Sequence, residues 1–138
     1  MRFGCIILTL MFLLSACKQE YSPPEPIAAN SFQYKAYDTS GTLIVTGWFT
    51  LVNADSIHRT GEWHFALVNN YRAPGPQVGD GTLKGIITGG LLEVNLNPSF
   101  VDNNVFLTGT LNGNNYNGTW TWSGFPGLLN RGSFRASK

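Results

Sequence analysis

Apolar and polar residues alternate with a period of two along most of the chain after Ser31. Successive side chains of a β-strand point to opposite faces, so this period predicts strands with one buried face. Gly, Asn, Asp and Pro interrupt the alternation about every 8–12 residues, as in all-β domains. The pattern predicts about eight strands: Phe32–Tyr37, Thr42–Val52, Gly61–Val68, Gly81–Ile87, Leu91–Leu96, Val105–Leu111, Tyr116–Trp122 and Gly132–Ser137.

Most of the predicted connections are short and rich in Asn and Gly, for example 38–41, 88–90 and 112–115. These residues tolerate the positive φ angles that tight hairpin turns require. The strands should therefore follow one another as an antiparallel meander. The segment Asn69–Asp80, with Pro74-Gly75-Pro76, is expected to form a longer irregular loop.

A meander of about eight strands can close on itself, which removes the unpaired edges of the sheet. We therefore predict an all-β domain at residues 31–138 that forms an antiparallel up-and-down β-barrel of about eight strands. Glycines that recur inside the strands, such as Gly109 and Gly118, suit the tight curvature of a small barrel. The alternative fold is a two-sheet β-sandwich.

The N-terminal residues follow a different pattern. Arg2 precedes an apolar run, Phe3–Leu14, which ends in small residues before Cys17. This order is typical of a secretory signal peptide, and the run is shorter than the roughly 20 residues of a spanning helix. We predict a signal peptide at residues 1–16 and a proline-rich tether at residues 17–30. The alternatives are an uncleaved N-terminal anchor and an ordinary signal peptide in which Cys17 occurs by chance.

The residues Leu14-Ser15-Ala16-Cys17 resemble the lipobox of bacterial lipoproteins. The resemblance implies that Cys17 is the first residue of the mature protein and carries a lipid anchor: diacylglycerol on its sulfur and often a further chain, such as palmitate, on its amine. Two or more acyl chains give stable anchoring in a membrane. The implied location is the cell envelope. Lys18, where Asp would favour the inner membrane, points to the periplasmic face of the outer membrane in a Gram-negative cell.

The predicted tether contains Pro23, Pro24 and Pro26. An extended polyproline segment rises about 3.1 Å per residue, so Lys18 to Ala29 could hold the domain about 35 Å from the lipid. Plain disorder near the terminus is the alternative.

The predicted barrel resembles the calycin group, which includes the lipocalins and avidins. Gly61-Glu62-Trp63 and Gly118-Thr119-Trp120 are similar to the Gly-x-Trp pattern of that group, but fall on the third and seventh predicted strands instead of the first. The chain also resembles small bacterial lipoproteins that end in a Gly-Thr-Trp strand and a Gly-x-Phe-x-Ala strand, here Gly132–Ala136. These resemblances imply a barrel and carry over no ligand residue.

Charge and cysteine content narrow the classes of partner. Loss of Arg2 with the signal peptide leaves eight basic and eight acidic residues, so the mature chain has no net formal charge. Nucleic-acid-binding domains usually show a basic excess, so we expect no nucleic-acid partner. Cys17 is the sole cysteine of the mature chain. Stability must therefore come from packing, and we expect a monomer.

No constellation of reactive residues points to catalysis. His58 and His64 are the two histidines, and two ligands do not make a zinc site. His64 and Glu62 share a strand face, for which a solvated outer wall is the simpler interpretation. The chain has no Gly-x-Ser-x-Gly elbow. We expect a protein that is not an enzyme and needs no metal or cofactor.

Aromatic residues are the first candidates for binding. Their spacing places them on one face of two strands, where they could line a small apolar cavity: Trp63, Phe65, Tyr116, Trp120 and Trp122. A barrel of eight strands holds either packed side chains or one small ligand. A core filled by these rings is the favoured alternative to a cavity.

Two loops are candidates for contact with a partner protein. Tyr71 and Arg72 offer residue types that anchor interfaces. Phe125, Leu128 and Leu129 could form an exposed contact, or a plug that folds over the end of the barrel. We predict a membrane-anchored envelope lipoprotein that acts as a non-catalytic protein-interaction module. The alternative is a carrier that binds a small apolar or amphipathic ligand inside the barrel.

Overall fold

The computed structural model of the chain describes residues 30–69, 71 and 75–138. Strands account for most of these residues: β1 Ser31–Tyr37, β2 Leu43–Thr50, β3 Val52–Asn53, β4 His58–Leu67, β5 Gly79–Thr88, β6 Leu91–Asn95, β7 Asn103–Asn112, β8 Asn115–Gly124 and β9 Gly127–Ser137. The predicted signal peptide, Cys17 and the tether up to residue 29 lie outside the described residues.

The strands form a closed antiparallel barrel. Each long strand pairs with the next one along the chain, β1 also pairs with β9, and β2 pairs with β4. Eight long strands thus complete a ring, and the short β3 adds to the beginning of β4. The predicted eight-stranded barrel is confirmed, and the unbroken ring of pairings excludes the sandwich. This architecture is compatible with a calycin-like fold.

The period-two alternation decides which side chains fill the barrel. On β6, Leu92 and Val94 are buried while Glu93 between them is exposed. The interior is unusually aromatic, and each buried ring removes on the order of 150–250 Å² from water. Its largest fully buried side chains are Phe32, Tyr34, Phe49, Phe65, Tyr116, Trp120 and Phe134.

The last hairpin is longer than predicted. β9 begins at Gly127 instead of Gly132, and Phe125-Pro126 alone connects it to β8. The pairing shifts register between Trp122 and Ser123, which leaves Leu129 as an extra residue in β9. Such a bulge interrupts the period-two alternation, which is why the sequence pattern indicated a loop there.

The two ends of the barrel carry different features. Asn30 leads into β1 at one end, which we call the near end, because the predicted tether joins the barrel there. Since neighbouring strands alternate in direction, the described residues of four connections lie at the opposite, far end: 38–42, 68–69 with 71 and 75–78, 96–102, and 125–126.

Candidate functional site

Four of the five aromatic residues proposed to line a cavity are buried in the packed interior: Trp63, Phe65, Tyr116 and Trp120. Phe65 stacks on Tyr34 with ring centroids 4.2 Å apart, and the ring of Trp63 lies 5.1 Å from that of Phe65. Tyr116 meets Phe134 edge-on at 4.8 Å. Ring–ring distances this short show that the side chains themselves fill this part of the interior.

The polar atoms of these rings already have partners. The Trp63 Nε1–H donates to the Leu96 carbonyl oxygen at 2.7 Å. The Tyr116 hydroxyl lies 2.6 Å from the Leu107 carbonyl oxygen, to which it donates. Burial raises the pKa of Tyr116 above its ordinary value, so the hydroxyl keeps its proton. These groups hold neighbouring strands together and are not free to bind a ligand.

Part of the long loop covers the far mouth of the barrel. Gln77 is fully buried, and its Oε1 accepts a 3.0 Å hydrogen bond from the Tyr34 hydroxyl. Gly75 lies directly against Trp122, since a Cβ at Gly75 would sit 2.4 Å from the indole ring. Trp122, the fifth candidate lining residue, is therefore half-buried at the rim, where it donates to Asn103 Oδ1 at 2.8 Å.

The residues from Phe125 to Leu129 do not close the barrel. Phe125 is 91% exposed, so the prediction of a plug is wrong. Val101, in the β6–β7 loop, is equally exposed. The two segments are adjacent. The Leu129 side chain lies against Gly124, and the backbone of Asp102, in the β6–β7 loop, lies beside the same glycine. We call their exposed apolar side chains the far-end tip: Phe100, Val101, Phe125, Leu128 and Leu129.

Tyr71 has an evident structural role. Its ring packs against the core, and its hydroxyl donates to Asp38 Oδ2 at 3.0 Å. Hydrogen bonds from Ser40 and Thr42, together with that from Tyr71, lower the pKa of the Asp38 carboxyl. Tyr71 thus ties the long loop to the β1–β2 turn. Arg72, the second candidate in this loop, lies outside the described residues.

The histidines lie on the outer surface. His64 pairs across the sheet with Trp48 on one side and Asp80 on the other, and its Nδ1 is 3.8 Å from Asp80 Oδ1. His58 Nδ1 is 2.7 Å from Asp55 Oδ2. In the part of the chain that the structure describes, no three His, Cys, Asp or Glu residues lie close enough together to hold a metal ion.

Charged residues are distributed unequally between two walls of the barrel. The wall of β4, β5 and β6 carries three acidic residues and two basic ones: Glu62, Asp80, Glu93, Arg59 and Lys84. The opposite wall, formed by β1, β9 and β8, carries three basic residues and no acidic one: Lys35, Arg131 and Arg135. We call these three residues together with Tyr37 the basic wall.

The basic wall borders a groove of about 690 Å³ that opens to solvent. Lys35, Tyr37, Asn117 and Arg135 are among its lining residues. The guanidinium of Arg135 lies 5.9 Å from the centroid of the Tyr37 ring. Sequence reasoning missed this surface because Lys35 and Arg135 are a hundred residues apart and meet only through the β1–β9 pairing.

No protein-family model matches the chain, and searches of curated proteins and of solved structures also found no match. Within the described residues no helix is long and apolar enough to cross a membrane.

Proposed function

We propose that the protein is a non-catalytic protein-interaction module of the cell envelope, held at a membrane by lipid on Cys17. Two kinds of observation support this proposal. The lipobox-like residues supply an anchor, and the packed aromatic interior leaves the outer surface as the place where recognition can occur. The observation that carries the interaction role is the basic wall, where Tyr and Arg, residue types enriched in interface hot spots, line one groove.

The chemistry of the basic wall selects an acidic partner. Lys35 and Arg135 pair across β1 and β9, and Arg131 lies four residues before Arg135 in β9. Lys35 and Arg135, in the groove, attract a negative segment and orient it during the encounter, whereas Arg131 shares a second depression with Asp38. Tyr37 adds an apolar, stackable surface beside Arg135. The expected partner is an envelope protein with an exposed acidic segment.

Mass spectrometry of the protein purified from membranes tests the anchor. A mature N-terminus at Cys17 that carries acyl mass is expected. Cys17→Ala should release soluble protein or accumulate the unprocessed precursor. A mature chain that begins elsewhere, or a Cys17 without acyl mass, would contradict the anchoring proposal.

Photo-crosslinking in intact cells tests the interaction. A crosslinker at position 117, in the groove, should capture one defined envelope protein. A crosslinker at position 93, on the opposite wall, is the matched control and should not. The double change Lys35→Glu and Arg135→Glu should reduce capture at 117 on the order of tenfold, because it replaces attraction by repulsion. The same capture pattern at 117 and 93 would contradict the role of the basic wall.

A further inference from the structure

We infer that the far-end tip inserts into the interfacial region of a lipid bilayer and forms a second membrane contact beside the anchor. This inference rests on the proposed function in one respect: the lipid on Cys17 keeps a bilayer within reach. The site is distinct from the basic wall, which remains available to a protein. The tip consists of five exposed side chains from the β6–β7 loop and the β8–β9 hairpin: Phe100, Val101, Phe125, Leu128 and Leu129.

The side chains of the far-end tip are exposed to solvent. Half of the ten large apolar side chains that are exposed in the described residues gather in this tip. Phe125 and Val101, at 91% exposure, project almost completely into solvent. Burying a Val, Leu or Phe side chain is worth about 1.5–3 kcal/mol, so the tip strongly favours an apolar environment over water.

Composition points to lipid as that environment. The tip contains Phe, Val and Leu, whereas protein-binding hot spots are enriched in Trp, Tyr and Arg and poor in Leu and Val. The sequence from Asn103 to Asn130 contains no charged residue, and none occurs between Val94 and Val101. Charged side chains are the ones that resist transfer into a membrane. Asp102, directly after Val101, is the one charged residue between Val94 and Asn130.

The backbone of the hairpin is also prepared for an apolar environment. Gly124 pairs with Gly127, so the ladder of β8 and β9 continues to the two-residue turn. On the open edge of β9, the Arg131 N–H donates to Asn130 Oδ1 at 2.8 Å. Backbone groups without a hydrogen-bond partner are costly in lipid, and the pairing of residues 127–131 with β8 satisfies those on one side of the strand. The same capped N–H and the bulge at Leu129 hinder the addition of a partner strand.

The geometry allows the anchor and the tip to reach one bilayer. A ten-residue strand, tilted as in small barrels, gives a barrel height of about 25 Å. Lys18–Ala29 can span at most about 40 Å. A barrel joined to that segment at its near end can therefore lie against the membrane with its far end in contact.

A fluorescent label tests the insertion directly. Cys5 leaves with the signal peptide and Cys17 carries lipid, so Phe125→Cys provides a unique thiol in the mature chain. The lipidated protein is labelled with an environment-sensitive fluorophore and reconstituted into vesicles of phosphatidylethanolamine and phosphatidylglycerol. We expect emission at shorter wavelength and at least about twofold quenching by nitroxide groups on the acyl chains. Asn114→Cys, in the near-end β7–β8 turn, is the matched control and should show neither effect.

Two results of this experiment would overturn the inference. Emission from position 125 that equals emission from position 114 would overturn the inference. A shift to shorter wavelength without quenching would also overturn it, because the tip would then be covered by protein. High salt should leave the quenching unchanged, since the contact is apolar.

Failure of the anchor can be told apart from failure of the tip. If Cys17 proves to lack lipid, the soluble protein with Cys17→Ser is titrated with the same vesicles. Emission from position 125 should still shift to shorter wavelength at saturating lipid. A flat titration would overturn the inference, and Leu128→Ser should weaken any binding that is observed.

Discussion

At the scale of single residues, Gly132 determines where the pairing between β1 and β9 ends. The Trp120 Nε1–H donates to the carbonyl oxygen of Tyr37, the last residue of β1, at 2.8 Å. A Cβ at Gly132 would lie 2.0 Å from that oxygen and 2.6 Å from the indole nitrogen. The indole can cap the end of β1 only because residue 132 has no side chain. Beyond this point β9 pairs with β8 alone.

Gly132→Ala should therefore destabilise the fold by about 1–3 kcal/mol, because backbone and ring must both move. Gly85→Ala is the matched control on another strand, where the nearest atoms lie 3.1–3.2 Å from the added Cβ. Urea denaturation of both variants measures the difference. Equal losses of stability would show that the contact at Gly132 relaxes without cost.

Asp55 gives the fold a defined acid sensitivity. The His58 N–H, followed by the His58 ring and the Ile57 N–H, lowers the pKa of the Asp55 carboxyl from 3.8 to about 2. A carboxyl whose pKa is lower in the folded than in the unfolded protein stabilises the folded state at pH values above its unfolded-state pKa. This contribution disappears as the pH falls through the folded-state pKa. Asp55→Asn should therefore lower the urea midpoint near neutral pH, and the difference from wild type should close between about pH 4 and pH 2.

The control for this prediction is Asp80→Asn, since the Asp80 side chain is 82% exposed and its nearest partner, His64, is 3.8 Å away. Asp80→Asn should change the urea midpoint less than Asp55→Asn does near neutral pH. A difference between Asp55→Asn and wild type that persists unchanged at about pH 2 would contradict the assignment to ionisation.

At the scale of elements, the β8–β9 hairpin differs from the rest of the barrel. Ser133–Ser137 pair with β1 on one side and β8 on the other, whereas residues 127–131 pair with β8 only. This free section carries the bulge and ends at the tip. The section of β9 that presents Leu128 and Leu129 thus has a strand neighbour on one side only.

Hydrogen exchange should reveal this difference within one strand. Amides of residues 127–131 should exchange faster than those of Ser133–Ser137, because local opening of a strand with one neighbour breaks fewer interactions. The comparison within β9 is its own control for global stability. Equal protection along the strand would mean that the hairpin opens only with the whole barrel.

At the scale of the whole molecule, the phenylalanines have two separate roles. Phe65 is 1% exposed in the ring-packed interior, and Phe125 is 91% exposed at the tip. The first contributes to stability through packing and the second does not. A substitution at one site should therefore leave the property of the other site intact.

Phe65→Ala should cost about 3–5 kcal/mol of stability, because it leaves a cavity among buried rings. Phe125→Ala should change stability by less than about 0.5 kcal/mol, as expected for an exposed side chain. Thermal and urea unfolding measure both. A large loss for Phe125→Ala would show that the tip packs against the protein.

Local patterns were enough to predict the fold class. Seven of the eight predicted strands begin within three residues of an observed strand, because alternation, β-propensity and Asn–Gly turns act over a few neighbouring residues. The inward positions predicted for Trp63, Phe65, Tyr116 and Trp120 were also correct, since side-chain direction follows from position along a strand. The predicted anchor at Cys17 depends on a local motif as well and stays a prediction.

Only the tertiary structure determines which residues of different strands become neighbours. The filled interior depends on how rings from distant strands pack, as with Tyr34 and Phe65. The basic wall exists because closure places β1 beside β9, and the tip exists because the β6–β7 loop lies beside the last hairpin. A local pattern tells which face of a strand is buried. It carries no information about which remote residue lies opposite, because closure of the ring and the register between strands decide that.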